Sequence, residues 1–166
     1  MQDHVDKIIA QWTETRVAAD VSPMAVLTRI FRLNKQMRQP LATTFRKHNL
    51  HDGDFDLLAT LFRSNQPAGM TPNELRSSVV LSSGAMTNRL DGLESAGLVV
   101  RAANPQDRRS TLIKLTTKGR QTVEESLADY LGVLENLLSC LSRAERNTAA
   151  AILRKLLIHI EGAADE

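Results

Sequence analysis

The stretch from Met70 to Arg120 restricts the fold of this chain more than any other, because several local signals follow one another in it. Thr71 stands three residues before Glu74, with Pro72 between them. This is a helix start in which a hydroxyl and a carboxylate satisfy free backbone N–H groups. Leu75 and Val79 make the apolar side of that helix. Val80 to Ser83 carry no helical stripe, Ser82 or Ser83 offers a capping hydroxyl, and a second helix runs on to near Gly97. Leu98-Val99-Val100 and Thr111-Leu112-Ile113 are β-prone runs around the turn-forming Asn104-Pro105-Gln106-Asp107. Helix, tight turn, helix and hairpin are the outline of a winged helix-turn-helix.

The faces of the second helix separate at 100° per residue. With Met86 at zero, Leu90 falls near about 40° and Leu93 near about 340°, so these three pack inward. Gly84, Thr87 and Asp91 fall at roughly 100° to 160°, with Asn88 and Ser83 on the flanks. That side is small and polar. Short hydrogen-bonding side chains at the N-terminal end of a recognition helix reach base edges while the backbone stays close to the DNA. Ser82, Ser83, Gly84, Thr87 and Asn88 suit that task. An ordinary solvated helix face has the same composition, so the hairpin must decide between the two.

From Leu98 to Arg120 there are six basic residues, Arg101, Arg108, Arg109, Lys114, Lys118 and Arg120, against one acid, Asp107. The whole chain carries a formal charge of only +2, so the charge is concentrated. Arg108 and Arg109 sit at the hairpin tip or just past it, where guanidinium groups suit a narrow minor groove. The alternative is a solvated wing on a protein-interaction winged helix without DNA affinity, which would show no salt-dependent binding to any duplex.

The run LSSGAMTNRLDGLESAGLV, the DRRS at Asp107 to Ser110 and the LTTKGR that opens the next helix resemble the MarR family of bacterial transcriptional regulators in order and spacing. With the flanking helices the likeness covers almost the whole chain. It implies a homodimer whose recognition helices and wings bind a pseudopalindromic operator, with Arg108 matching the wing arginine placed in the minor groove.

The 166 residues fit one compact unit, and 42% hydrophobic with 24% charged residues is a globular composition that needs no staples. The near-neutral balance argues against a nonspecific polycation. A single cysteine excludes an internal disulfide framework, and no apolar segment has the length or position of a membrane span or signal peptide. The expected location is the bacterial cytoplasm, at the nucleoid, with no membrane partner.

Before the central stretch, Val5, Ile8, Ile9 and Trp12 form an amphipathic helix within Asp3 to Thr15. Pro23 opens a long helix to about His48, which Pro40 should kink or divide. Asp52 or Asp54 is placed to cap the helix that carries Phe55, Leu58, Ala59 and Phe62. After the wing, a helix starts at Thr117, and Ser142 with Glu145 forms a capping box for a last one striped by Ile152, Leu153, Leu156, Leu157 and Ile160. The fold class is therefore mainly α with a small β-wing. The expected division is 1–50 for N-terminal dimerisation helices and ligand pocket, 51–120 for the DNA-binding lobe, and 121–166 for C-terminal dimerisation helices. An intramolecular bundle would explain the same stripes, so dimerisation rests mainly on the family resemblance. Two recognition helices of a twofold dimer would sit about 34 Å apart.

Arg89 falls near about 300°, close to opposite the polar face, and should point back into the protein. A guanidinium so placed needs an acidic partner or an anionic ligand, because an unpaired buried charge costs several kcal/mol. Asp56 is one such partner. Taken singly, Asp56 also fits a helix N-terminus, Trp12 a core, and Arg101 a phosphate contact. Together, Trp12 in an N-terminal helix, Asp56 within Phe55-Asp56-Leu57-Leu58-Ala59-Thr60-Leu61, Arg89 and Arg101 resemble the urate-responsive, PecS/HucR-like branch of the family. What that resemblance implies is a repressor released by a small anionic aromatic ligand, urate above all, held by these four residues. Phenolic or aromatic acids are the alternative ligands.

No Gly-rich phosphate loop, nucleophile elbow or paired catalytic carboxylates occur, so no enzyme, catalytic residue or cofactor is expected. His48 and His51 with Asp52 are the only metal-like group, and they read better as a polar turn than as a metal site. Cys140, among Leu137, Leu138 and Leu141, reads as a buried, inert thiol.

Overall fold

The computed structural model describes residues 2–15, 19–79, 83–107 and 109–163, with the backbone alone at 52 and 83–85. Its elements are α1 (His4–Glu14), α2 (Ser22–Lys47), α3 (Asp52–Arg63), α4 (Pro72–Ser78), α5 (Ser83–Ser95), β1 (Val99–Ala103), β2 (Thr111–Leu115), α6 (Thr117–Leu137) and α7 (Arg143–Gly162). The mainly helical winged arrangement expected from the sequence is present.

Local chemistry sets most boundaries. The Asp3 carboxylate accepts the Val5 and Asp6 N–H groups and starts α1. Thr71 and Glu74 form the expected capping box of α4, as Ser142 and Glu145 do for α7. Both capping carboxyls lie below their ordinary pKa: Glu74 chiefly through the Thr71 backbone N–H, Glu145 chiefly through the Ser142 hydroxyl. Helix α5 stops at Gly97, whose φ of 71 is open to glycine. There the Leu98 N–H reaches the Leu93 carbonyl and the Gly97 N–H the Glu94 carbonyl, both at 2.9 Å, a Schellman closure.

Three expectations need correction in whole or in part. Of the kink or division expected at Pro40, the division does not occur: α2 runs unbroken from Ser22 to Lys47. The missing N–H frees the carbonyl of Gln36, an exposed residue whose carbonyl water can serve. The N-cap of α3 is His51 rather than Asp52 or Asp54; Asp54 stands inside the first turn and accepts the His51 N–H at 2.8 Å. Cys140 is exposed, in the turn between α6 and α7.

The core joins α3, α4, α5, the sheet and the first half of α6. Leu57, Leu58, Leu75, Ile113 and Val123 are fully buried within it. Phe45, Phe55 and Tyr130 stack where α2, α3 and α6 meet, with ring centroids 4.6 to 5.8 Å apart. The two strands pair antiparallel from Val99↔Leu115 to Ala103↔Thr111, and Met70 adds a bridge to Ile113 on the far side of β2. Helix α7 has no buried residue, and Ile152, Leu153, Leu157, Ile158 and Ile160 are exposed along it. Phe31 and Leu33 on α2 are exposed as well. Among the described residues, no helix is long and apolar enough to cross a membrane.

Candidate nucleic-acid interface and the arginines behind it

Helix α5 is pinned by Met86, Leu90 and Leu93, each buried, as the 100° spacing requires. The opposite side leaves Thr87 and Asn88 exposed. Ser83 and Gly84 open the helix with only their backbone described, and Ser82 lies outside the described residues. Their expected base contacts therefore stay expectations.

Beside α5, the hairpin tip is tied by its own polar groups. The Asn104 side-chain amide donates to Ser110 Oγ at 2.7 Å, Asn104 Oδ1 accepts the Gln106 N–H at 3.0 Å, and Asp107 Oδ1 accepts the Arg109 N–H at 2.9 Å. Arg109 is exposed at this tip, and Arg108 lies outside the described residues. The six basic residues are thus not equivalent. Lys118 donates to the Ala96 carbonyl at 2.8 Å. The Arg120 guanidinium lies 5.0 Å over the Phe62 ring.

Arg101 is turned inward onto α5. Its guanidinium pairs with Asp91 at 2.6 Å and with Glu94, while its backbone N–H donates to the Glu94 carboxylate at 3.2 Å. The Asp91 hydrogen bond, with the Glu94 charge behind it, holds Arg101 above its ordinary pKa. A strand of the wing is thereby locked to the last turns of the helix. Asp91, read from the helical wheel as part of the outer polar face, is consumed in that lock.

Arg89 does point back into the protein, but its partner is Asp54 at 3.2 Å, not Asp56. Asp54 and Asp56 are two residues apart on α3 and so differ by roughly 200° in direction. Asp56 instead lines a cavity of about 230 Å³ with Phe55, Phe62, Arg63 and Tyr130. Behind the guanidinium stands Gly53, where an added Cβ would lie 2.6 Å from Arg89 Cζ and Nε. The Arg89 Nε is buried without a hydrogen-bond partner. Arg89 also opens on two surface cavities, one lined by Ala42, Arg46, Leu50 and His51, the other by residues including His51, Asp54, Asn88 and Leu98. Trp12 sits on α1, 42% exposed rather than in a core. Trp12, Asp56, Arg89 and Arg101 are thus carried on four separate elements, with Asp56 and Arg89 on different cavities. His48, once grouped with His51 and Asp52, hydrogen-bonds Asp129 at 3.0 Å.

Sequence reasoning passed over Gly53 and Glu94, and reached Asp54 only as a candidate helix cap. Glu94 stands three residues from Asp91, one turn on along the same helix, and that spacing was the available signal.

Residues 50–111 match the MarR family. Over 94% of the chain and 94% of its partner, the sequence is 31% identical to the HTH-type transcriptional regulator PecS of Dickeya dadantii. The chain belongs to the MarR family. The HTH-type transcriptional repressor YetL of Bacillus subtilis is 26% identical over 90% of this chain and 89% of its own. Among solved structures, a MarR variant from E. coli complexed with operator DNA superposes with a TM-score of 0.71 at 28% identity, covering 84% of this chain and 99% of that one. The S. aureus MepR–DNA complex gives 0.71 at 26% identity, covering 80% and 96%. These relatives are transcriptional regulators, and so is this MarR-family chain; it is not an enzyme.

Proposed function

We propose that this MarR-family regulator is a repressor that binds a pseudopalindromic operator as a homodimer and is released by a small anionic aromatic ligand, urate or a phenolic acid. The observation that carries the reading is the exposed pair Thr87 and Asn88 on α5, set on the buried Met86, Leu90 and Leu93 beside the wing. Arg109 is exposed at the wing tip, and in this reading Ser82, Ser83, Gly84 and Arg108 take the DNA contacts that the helix pattern and the family resemblance imply for them. Double-stranded DNA is the partner, as it is for the E. coli and S. aureus relatives solved with DNA.

Dimerisation is supported by the aliphatic stripe of α7 and by Phe31 and Leu33 on α2, apolar surface that a second copy would cover. Residues 1–50 and 121–166 then serve pairing, and residues 51–120 serve DNA. The ligand assignment rests on the likeness to PecS and on Trp12, Asp56, Arg89 and Arg101. Of these, Arg89 offers a direct lever, since an anion that takes it from Asp54 acts on the helix that reads DNA. Arg101 already has two carboxylates, and its part is to hold the wing. Differential affinity of about 1 to 3 kcal/mol for the two states would lower DNA affinity about 5- to 150-fold.

The test is titration of the protein against labelled DNA from upstream of its own gene, at fixed salt, with and without urate. Tight binding weakened by urate supports the whole reading. Tight binding indifferent to urate keeps the regulator and moves the ligand to a panel of aromatic acids. Absence of salt-dependent binding to any duplex favours a protein-interaction winged helix.

A further inference from the structure

We infer that the outer edge of β2 at Leu115 is a docking site for the C-terminus of a partner polypeptide that ends in an apolar residue. The site lies at the base of the wing, on the side of β2 away from β1.

The register of the hairpin leaves one rung open there. Ile113 exchanges both main-chain hydrogen bonds with Met70, at 3.0 and 2.8 Å, and the N–H of Arg101 opposite it goes to Glu94. The backbone groups of Arg101 and Ile113 therefore point outward, and so do those of the pair two residues on, Val99↔Leu115. The Thr116 N–H, which donates inward to the Leu98 carbonyl at 3.1 Å, fits the same alternation. Because Met70 bridges Ile113 antiparallel, its chain would meet Leu115 with Ala68 if it stayed straight. Instead the Gly69 N–H closes a turn onto the Gln66 carbonyl at 3.0 Å, and the chain leaves the edge. That turn needs glycine: Gly69 has a φ of 95, and a β-carbon there would stand 2.5 Å from the Ile113 carbonyl oxygen. Leu115 is left with an N–H and a C=O directed outward, with no backbone partner in the turn or in α6.

In front of this rung is a cavity of about 210 Å³. Leu61, Phe62 and Pro67 give it an apolar wall, Lys114 and Arg120 give it two cations, and no carboxylate lines it among the described residues. No described carboxylate is within ion-pair distance of Lys114, and Arg120 has only Glu124, at 3.9 Å.

A chain end of one kind satisfies all of these groups. A strand antiparallel to β2 that pairs with Leu115 runs toward Ile113, where Met70 already fills the next rung, so the strand must stop. What stops there is a C-terminus. Its last N–H donates to the Leu115 carbonyl, its carboxylate accepts the Leu115 N–H between the two cations, and its side chain enters the apolar wall. A strand of the opposite direction would bring an amino terminus, which Lys114 and Arg120 repel. Leu115 is at the end of β2 away from the hairpin tip, so a partner docked here leaves Arg109 free for DNA.

The experiment is amide NMR titration of the full chain with acetyl-Ala-Ala-Leu as the free acid, with the same peptide as its C-terminal amide, and with isovalerate. The variants are Lys114→Gln and Arg120→Gln, each checked for folding by circular dichroism. We expect the free acid to move the Leu115 amide resonance saturably, and binding to weaken at least about tenfold for the C-terminal amide and in both variants. A C-terminal amide that binds as well as the acid overturns the site as a reader of chain ends, and wild type alone decides this if a variant does not fold. Isovalerate binding as tightly as the peptide acid overturns the polypeptide partner and leaves a site for small acids. A Leu115 resonance that none of the three moves overturns the site altogether. A salt slope of DNA binding lowered by about one ion in each variant would then make Lys114 and Arg120 phosphate contacts.

Discussion

The guanidinium of Arg89 lies against Gly53 so closely that any β-carbon there would stand 2.6 Å from its Cζ. The pair ties the start of α3 to the recognition helix, and the contact atoms on the Arg89 side are the far end of a flexible side chain. Gly53→Ala should therefore fold, but with Arg89 pushed off Asp54. The expected loss is about 1 to 2 kcal/mol, seen as a fall in Tm of about 2 to 4 °C per kcal/mol, with a matching loss absent in an Arg89→Gln background. Full additivity of the two substitutions would show that they do not act through each other.

Gly119 meets backbone rather than a side chain. Its added Cβ would lie 1.9 Å from the Leu98 carbonyl oxygen, which the start of α6 covers. No rotamer change relieves that clash, so Gly119→Ala should cost at least about 2 to 3 kcal/mol in urea unfolding. A smaller cost would mean that the wing and α6 separate easily.

Arg101 joins β1 to Asp91 and Glu94 with a forked head that lysine cannot reproduce. Both Arg101→Ala and Arg101→Lys should speed hydrogen exchange at residues 99–103, the alanine variant more. Operator affinity should fall with them, at unchanged salt slope if Arg101 touches no phosphate. A slope reduced by about one ion would instead make Arg101 a DNA contact.

Arg29 holds the Asp3 carboxyl below its ordinary pKa, with the capped N–H groups of α1 adding to the effect. A depressed carboxyl stabilises above its unfolded pKa, and that contribution is lost as pH falls through the lower folded value. Docking of α1 on α2 should accordingly weaken only below about pH 4. Trp12, the one tryptophan, reports this through its fluorescence. Asp3→Asn should loosen α1 already at neutral pH and flatten the acid transition; an unchanged transition would assign it to other carboxyls.

The elements that could be read from sequence are those whose cause is local. Thr71 with Glu74, Ser142 with Glu145 and Gly97 act within one turn of their own helix, and each does what its spacing implies. The inward side of α5 was legible for the same reason. The partner of Arg89 was not, because the choice between Asp54 and Asp56 depends on which side of α3 meets α5, a tertiary fact. Of the two outcomes expected at Pro40, a kink or a division, division is excluded, since α2 continues past the lost Gln36 carbonyl bond. Cys140 misled by its neighbours, since leucines read as core only where this chain itself supplies a cover.

Helix α7 has no buried residue over its 20 residues. An isolated helix of this length holds only marginally in water, and a row of bare isoleucines and leucines makes solitude worse. Dilution should then act on this molecule much as a denaturant does, eroding its C-terminal end while the recognition lobe survives. The number of copies in a cell would in that case set not only how often the operator is filled but how much of the protein is whole.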